Sequence, residues 1–95
     1  AQSNLKRCYL ELGGKSPNVV FADAPDLSAA AKAAATAIFR NAGQVCVAPT
    51  RFIVHRSIYG AFVDAFAGVA ESLTIGDGQA QGTDMGPLAN ERLMT

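Results

Sequence analysis

The chain has 95 residues, 49% of them hydrophobic and 17% charged, which fits one globular unit burying about 64% of its surface, from roughly 14,200 Å² unfolded to roughly 5,200 Å² folded. Eight Lys and Arg against eight Asp and Glu leave no net charge, so electrostatic capture of nucleic acid or an anionic membrane has no support. No apolar run nears the ~20 residues that cross a bilayer, no signal-peptide pattern is present, and two cysteines allow one disulfide at most; a cytoplasmic protein is expected.

Taken in chain order, the runs from Cys8 to Leu12 and from Asn18 to Phe21 predict two short strands, separated by Gly13, Gly14, Lys15, Ser16 and Pro17. The Gly-Gly pair lets the backbone approach another group closely. From Leu27 the apolar positions Leu27, Ala30, Ala31, Ala34 and Ile38 follow a helical period, with Lys32, Thr36 and Arg40 on a solvated face and Asp26 or Ser28 as the cap. Gly43 stops that helix, and an irregular connection to Thr50 carries Cys46. Arg51 to His55 reads as a strand, and Ser57 is placed to cap a second helix with Ile58, Phe62, Ala65, Phe66, Val69 and Leu73 inward. Gly60 and Gly68 weaken that helix by about 1 kcal/mol each. A long loop from Gly76 to Pro87 follows, and Leu88 to Met94 opens a further helix. The order, roughly β-β-α-β-α, implies an α/β layered fold.

Three residues carry possible chemistry. Cys46, on a loop, is either a nucleophile or a buried structural thiol, whereas Cys8 sits in an apolar strand run and is expected to be packing. Glu11 faces solvent, pairs with Arg7 or Lys15, or acts as a general base. A Glu within reach of a Cys activates the thiol, or the water that hydrolyses a thioester, but spacing alone does not bring Glu11 to Cys46. His55 has no Cys or second His at ligand spacing, so a surface role is expected and no metal site. Gly76-Asp77-Gly78 starts a dinucleotide-type run that fails at Gln81, and reads as loop.

Leu10-Glu11-Leu12-Gly13-Gly14-Lys15-Ser16-Pro17 resembles the glutamate signature of the aldehyde dehydrogenase superfamily, and Phe39-Arg40-Asn41-Ala42-Gly43-Gln44-Val45-Cys46-Val47-Ala48-Pro49-Thr50 resembles its cysteine signature. The 35-residue separation, the Asn18-Val19-Val20-Phe21-Ala22-Asp23 segment and Met85-Gly86-Pro87-Leu88 also look like that family. The resemblance implies that residues 1–95 are part of a three-layer α/β catalytic domain, without its dinucleotide-binding domain. It implies an oxidoreductase that converts an aldehyde to a free carboxylic acid with NAD or NADP. Cys46 would form a thiohemiacetal and then a thioester, and Glu11 would be the general base. Leu12 and Gly13 would bind cofactor, Gly13 and Gly14 letting the backbone lie near the nicotinamide, and the Cys46 N–H would donate to the oxyanion, a type of group worth roughly 3 kcal/mol.

By the same resemblance the partners are a small-molecule aldehyde and further copies of the full-length subunit. The family's upstream oxyanion Asn is matched by neither Asn4 nor Asn18, and its ribose-binding Glu is absent, so the isolated chain is expected not to turn over aldehydes. Val45 and Val47, flanking Cys46, lean toward an aliphatic or semialdehyde substrate. Lys15 is expected to cap or pair locally. Two alternatives stand beside this reading. One is an association piece exposing Val19, Val20, Phe52, Ile53 and Phe62; the other is a thiol-reactive chain without turnover.

Overall fold

The computed structural model describes residues 5–94. Its main elements are β1 (Ser16–Val20), α1 (Leu27–Phe39), β2 (Pro49–Val54) and α2 (Tyr59–Glu71). Asp26 starts α1: its backbone is extended and its carboxylate accepts the Ala29 N–H at 2.9 Å, satisfying a donor that the first helical turn leaves orphaned. The second helix begins differently from expectation. A 3-10 turn, Arg56–Ile58, precedes it, and His55 Nδ1 accepts the Ser57 N–H at 3.3 Å, so His55 rather than the Ser57 hydroxyl caps this entry. At the other end, the Leu88 to Met94 run forms only a 3-10 turn, Glu91–Leu93.

β1 and β2 pair in parallel, with Ser16 opposite Pro49 and Val20 opposite Val54, and α1 is the crossover between them. One face of this ribbon meets both helices. Val20, Ala31, Ala34 and Phe62 form the buried core, with Leu27, Phe52, Val54 and Phe66 packed against it. Alanines on α1 are small enough to let the α2 phenylalanines approach. Phe66 lies 5.1 Å from Phe52 and 5.7 Å from Phe39 between ring centroids, in tilted and edge-on arrangements that aromatic quadrupoles favour.

Three expectations are corrected. The run from Cys8 to Leu12 forms no strand: β1's one paired neighbour is β2, and alternating propensity does not supply a partner edge. Cys8 is accordingly exposed, not packed, as are Tyr9, Leu10 and Leu12. Of the five apolar residues expected at an uncovered surface, Val20 and Phe62 are buried, Phe52 is half-buried, and Val19 and Ile53, opposite each other on the far face of the ribbon, remain 50% and 56% exposed. The accessible surface is 7683 Å², well above the roughly 5,200 Å² scaling expectation. Parallel sheets are normally covered on both faces, and here only one is. Among the described residues no helix is long and apolar enough to cross a membrane.

Candidate active site

Parallel pairing decides where the two chemical motifs lie. Because Ser16 stands opposite Pro49, the segments entering β1 and β2 run side by side at the same end of the ribbon. Glu11 precedes the first strand and Cys46 the second, so α1 carries the chain out and back and closes a 35-residue separation. The site thus sits at the amino ends of these strands, whereas ligands in open α/β sheets usually sit at the carboxyl ends.

The contact between the motifs is made by backbone. A Cβ placed on Gly14 would lie 3.3 Å from the Cys46 carbonyl oxygen, a tight approach that glycine permits. Beside it, the Arg51 guanidinium donates to the Lys15 carbonyl at 2.6 Å, fastening the glutamate motif to β2. Gly13, by contrast, has no atom within 4 Å of its Cβ position and opens onto a cleft of about 940 Å³.

That cleft brings the sequence-identified residues together: Glu11, Leu12, Gly13 and Cys46 all line it. Cys46 is exposed, on a turn closed by the Ala48 N–H donating to the Val45 carbonyl at 3.0 Å. Ala48 is buried and Val45 half-buried, so the turn is pinned at both ends while the thiol and Val47 face outward. The turn's own hydrogen bond does not use the Cys46 N–H.

Upstream of the turn, Asn41, Ala42 and Gly43 all take left-handed backbone conformations, with φ of 52°, 55° and 75°. Glycine adopts this region freely, Asn with modest cost, and Ala with strain; such strain concentrates at functional loops. The turn swings the chain away from the α1 axis. The helix therefore ends four residues before the predicted stop, and the cysteine loop points at the glutamate motif.

The sequence reading missed two cations at the cleft. Lys15 and Arg40, assigned to local pairing and to a helix's solvated face, both line it. Neither carries a signal in the sequence: Arg40 continues the spacing of Lys32 and Thr36, and only the structure ends the helix one residue before it, at Phe39. His55 is exposed and contacts Ser57 Oγ at 2.8 Å, and among the described residues no group of three His, Cys, Asp or Glu gathers at metal-binding distance. Gly76 to Pro87 is a loop, tied at its neck by the Thr74 N–H to Asp84 Oδ2 at 2.9 Å and by the Gly76 N–H to the Met85 carbonyl at 3.1 Å. Asn18 lies within β1, and Asn4 lies outside the described residues.

The structure is a βαβα unit in which the loop carrying Cys46 and the segment carrying Glu11 line one cleft. The sequence model of the aldehyde dehydrogenase family matches residues 1–95. The chain is 52% identical over 89 residues to the 4-(hydroxymethyl)benzenesulfonate dehydrogenase of Comamonas testosteroni, covering 94% of this chain and 18% of that protein. It is 48% identical over 91 residues to the NADP(+) succinate-semialdehyde dehydrogenase of Mycolicibacterium paratuberculosis, covering 96% and 19%. A solved indole-3-acetaldehyde dehydrogenase variant of P. syringae, in complex with NAD+ and IAA, superposes with a TM-score of 0.86 at 45% identity, covering 98% of this chain and 19% of that one. The chain belongs to the aldehyde dehydrogenase family, and it spans about 18% of the length of the curated relatives it matches.

Proposed function

We propose that the protein carrying this chain oxidises an aldehyde to a carboxylic acid with NAD or NADP, and that these residues form the acid-producing part of its catalytic domain. The observation that carries the reading is the convergence of Glu11 and Cys46 on one cleft. The Cys46 thiolate adds to the aldehyde carbon, and the Cys46 N–H stabilises the oxyanion that forms. NAD or NADP would supply the acceptor for the hydride on that carbon, and Cys46 would then hold the resulting acyl group as a thioester. Glu11 then takes a proton from the water that attacks the thioester, the acid departs, and the thiol is restored. Leu12 and the open backbone at Gly13 are the positions in this chain that fit a flat nicotinamide ring, since nothing within 4 Å fills the space a side chain would take there. The remaining cofactor contacts come from outside these residues.

The cleft also favours an aldehyde whose far end is anionic. Lys15 and Arg40 line it against the single carboxylate of Glu11, and two of the relatives named above carry the names of a sulfonate and a semialdehyde of a dicarboxylic acid. An association role finds support in the uncovered Val19 and Ile53, but leaves the shared cleft of Glu11 and Cys46 without a purpose.

The test is turnover of succinic semialdehyde and phenylacetaldehyde by the protein carrying this chain, in Cys46→Ala and Glu11→Gln variants. Cys46→Ala should abolish NAD(P)H production, and Glu11→Gln should lower it by about 10²-fold or more, within the usual range for a general base. Turnover surviving in Cys46→Ala would refute the nucleophile assignment.

A further inference from the structure

Gln44 stands two residues before Cys46, at the joint between the left-handed run and the cysteine turn, and both ends of its side-chain amide are used. Its Nε2 donates to the Asn41 carbonyl at 2.9 Å, while the Asn41 Nδ2 donates back to the Gln44 carbonyl at 3.1 Å. The Gln44 Oε1 accepts the Ala89 N–H at 2.7 Å, across 45 residues of sequence. These partners fix the amide's orientation, because a flipped amide would set oxygen against the Asn41 carbonyl and NH₂ against the Ala89 N–H.

The far partner is held independently. The neck at Thr74, Asp84, Gly76 and Met85 returns the long loop alongside residues 74–76, so the following residues reach the cysteine loop from a fixed base. By itself the Val45–Ala48 hydrogen bond gives the cysteine turn its shape but not its position. The Gln44 side chain joins that turn's approach to a second segment, and it also lines the cleft.

We propose that Gln44 is a positioning residue: its amide clamps the cysteine loop between the left-handed turn at Asn41 and the backbone of Ala89, and so sets where the Cys46 sulfur stands relative to Glu11. This rests on the assignment of Cys46 as nucleophile. Loss of the clamp leaves the thiol present and the turn closed, but lets the loop wander. Proximity effects are steep enough that a misplacement of about 1 Å can cost 10²-fold in rate.

The experiment compares Gln44→Met, which keeps length and loses both bonds, with Gln44→Glu, which keeps an acceptor for Ala89 and loses the donor to Asn41. Both are made in the protein carrying this chain. Three quantities are read: kcat, the KM for aldehyde and for NAD(P), and the rate of Cys46 alkylation by iodoacetamide without cofactor. The expected result is a fall in kcat of about 10- to 100-fold in Gln44→Met and no smaller one in Gln44→Glu, whose second carboxylate oxygen is set against the Asn41 carbonyl. KM should stay within about 2-fold and alkylation within about 3-fold in both. Wild-type kcat in Gln44→Met overturns the proposal. So does a kcat deficit that disappears on cooling below a lowered melting temperature, because that pattern marks stability alone. Cys46→Ala, run in parallel, separates the two failures: if it still turns over, the nucleophile assignment is wrong, whereas its inactivity beside a normal Gln44→Met defeats only the clamp.

Discussion

Substitution of Gly14 tests whether the two motifs are held by backbone contact. The Gly14 φ lies outside the left-handed region, so alanine is conformationally acceptable, and its smaller unfolded-state entropy should add about 0.4–1 kcal/mol of stability. Against that gain, the new Cβ sits 3.3 Å from the Cys46 carbonyl oxygen, while the next heavy atom, Ser16 Oγ, is at 3.9 Å. The strain is relieved by a displacement of a few tenths of an ångström, and the group displaced is the backbone of Cys46, the proposed nucleophile. On the scale of about 10²-fold per 1 Å, Gly14→Ala should lower kcat by roughly 3- to 10-fold at nearly unchanged stability. Gly14→Val, with two more carbons aimed at the same carbonyl, should lower it by about 10²-fold or more. Denaturant melts and initial-rate kinetics on the protein carrying this chain read both effects. Gly13→Ala, with nothing within 4 Å, serves as the stability comparator and should show the gain without the strain. A Gly14→Val protein with wild-type kcat would refute the contact as what positions Cys46.

Two further expectations concern stability, both read from urea midpoints. Ala42 holds φ 55° without being glycine; relieving about 1–2 kcal/mol of left-handed strain, offset by 0.4–1 kcal/mol of added chain entropy, Ala42→Gly should stabilise by roughly 0.5–1 kcal/mol, and a lower midpoint would contradict the left-handed turn. Phe62, 3% exposed and in ring contact with Phe52 and Phe66, should cost about 3–5 kcal/mol on truncation to Ala, whereas a loss under 1 kcal/mol would remove it from the core.

Much of the fold was legible because helical and strand periods are local. The first helix is legible with its cap narrowed to Asp26 or Ser28, of which the structure uses Asp26, and the second strand is legible within two residues, since each is written in consecutive side chains. Pairing is not local. The run from Cys8 to Leu12 has the composition of a strand and no edge to join, and nothing in its own letters distinguishes it from the run after Ser16 that does pair. The site divides the same way. Glu11 and Cys46 are identifiable by residue type and motif, but their sharing one cleft depends on a parallel register between segments 33 residues apart, Ser16 with Pro49. Lys15 and Arg40 were misplaced for the same reason: each was judged against its own element, and the cleft they line is made by two.

Seen as mechanics, most of the letters in the two signatures have work other than chemistry. In the glutamate motif, Gly14 provides the clearance for Cys46 and the Lys15 carbonyl accepts the Arg51 strut. In the cysteine motif, Asn41, Ala42 and Gly43 turn the chain left-handed, Gln44 spans two segments, and buried Ala48 seats the end of the turn. None of these is a proton carrier or a nucleophile, yet each constrains where the two reactive groups stand. A thiol and a carboxylate on unconstrained loops would meet only in a fraction of conformers, and the rate would fall by that fraction. A fixed geometry therefore depends on these supporting positions, and substitutions at them should lower kcat more than they change the affinity for either substrate.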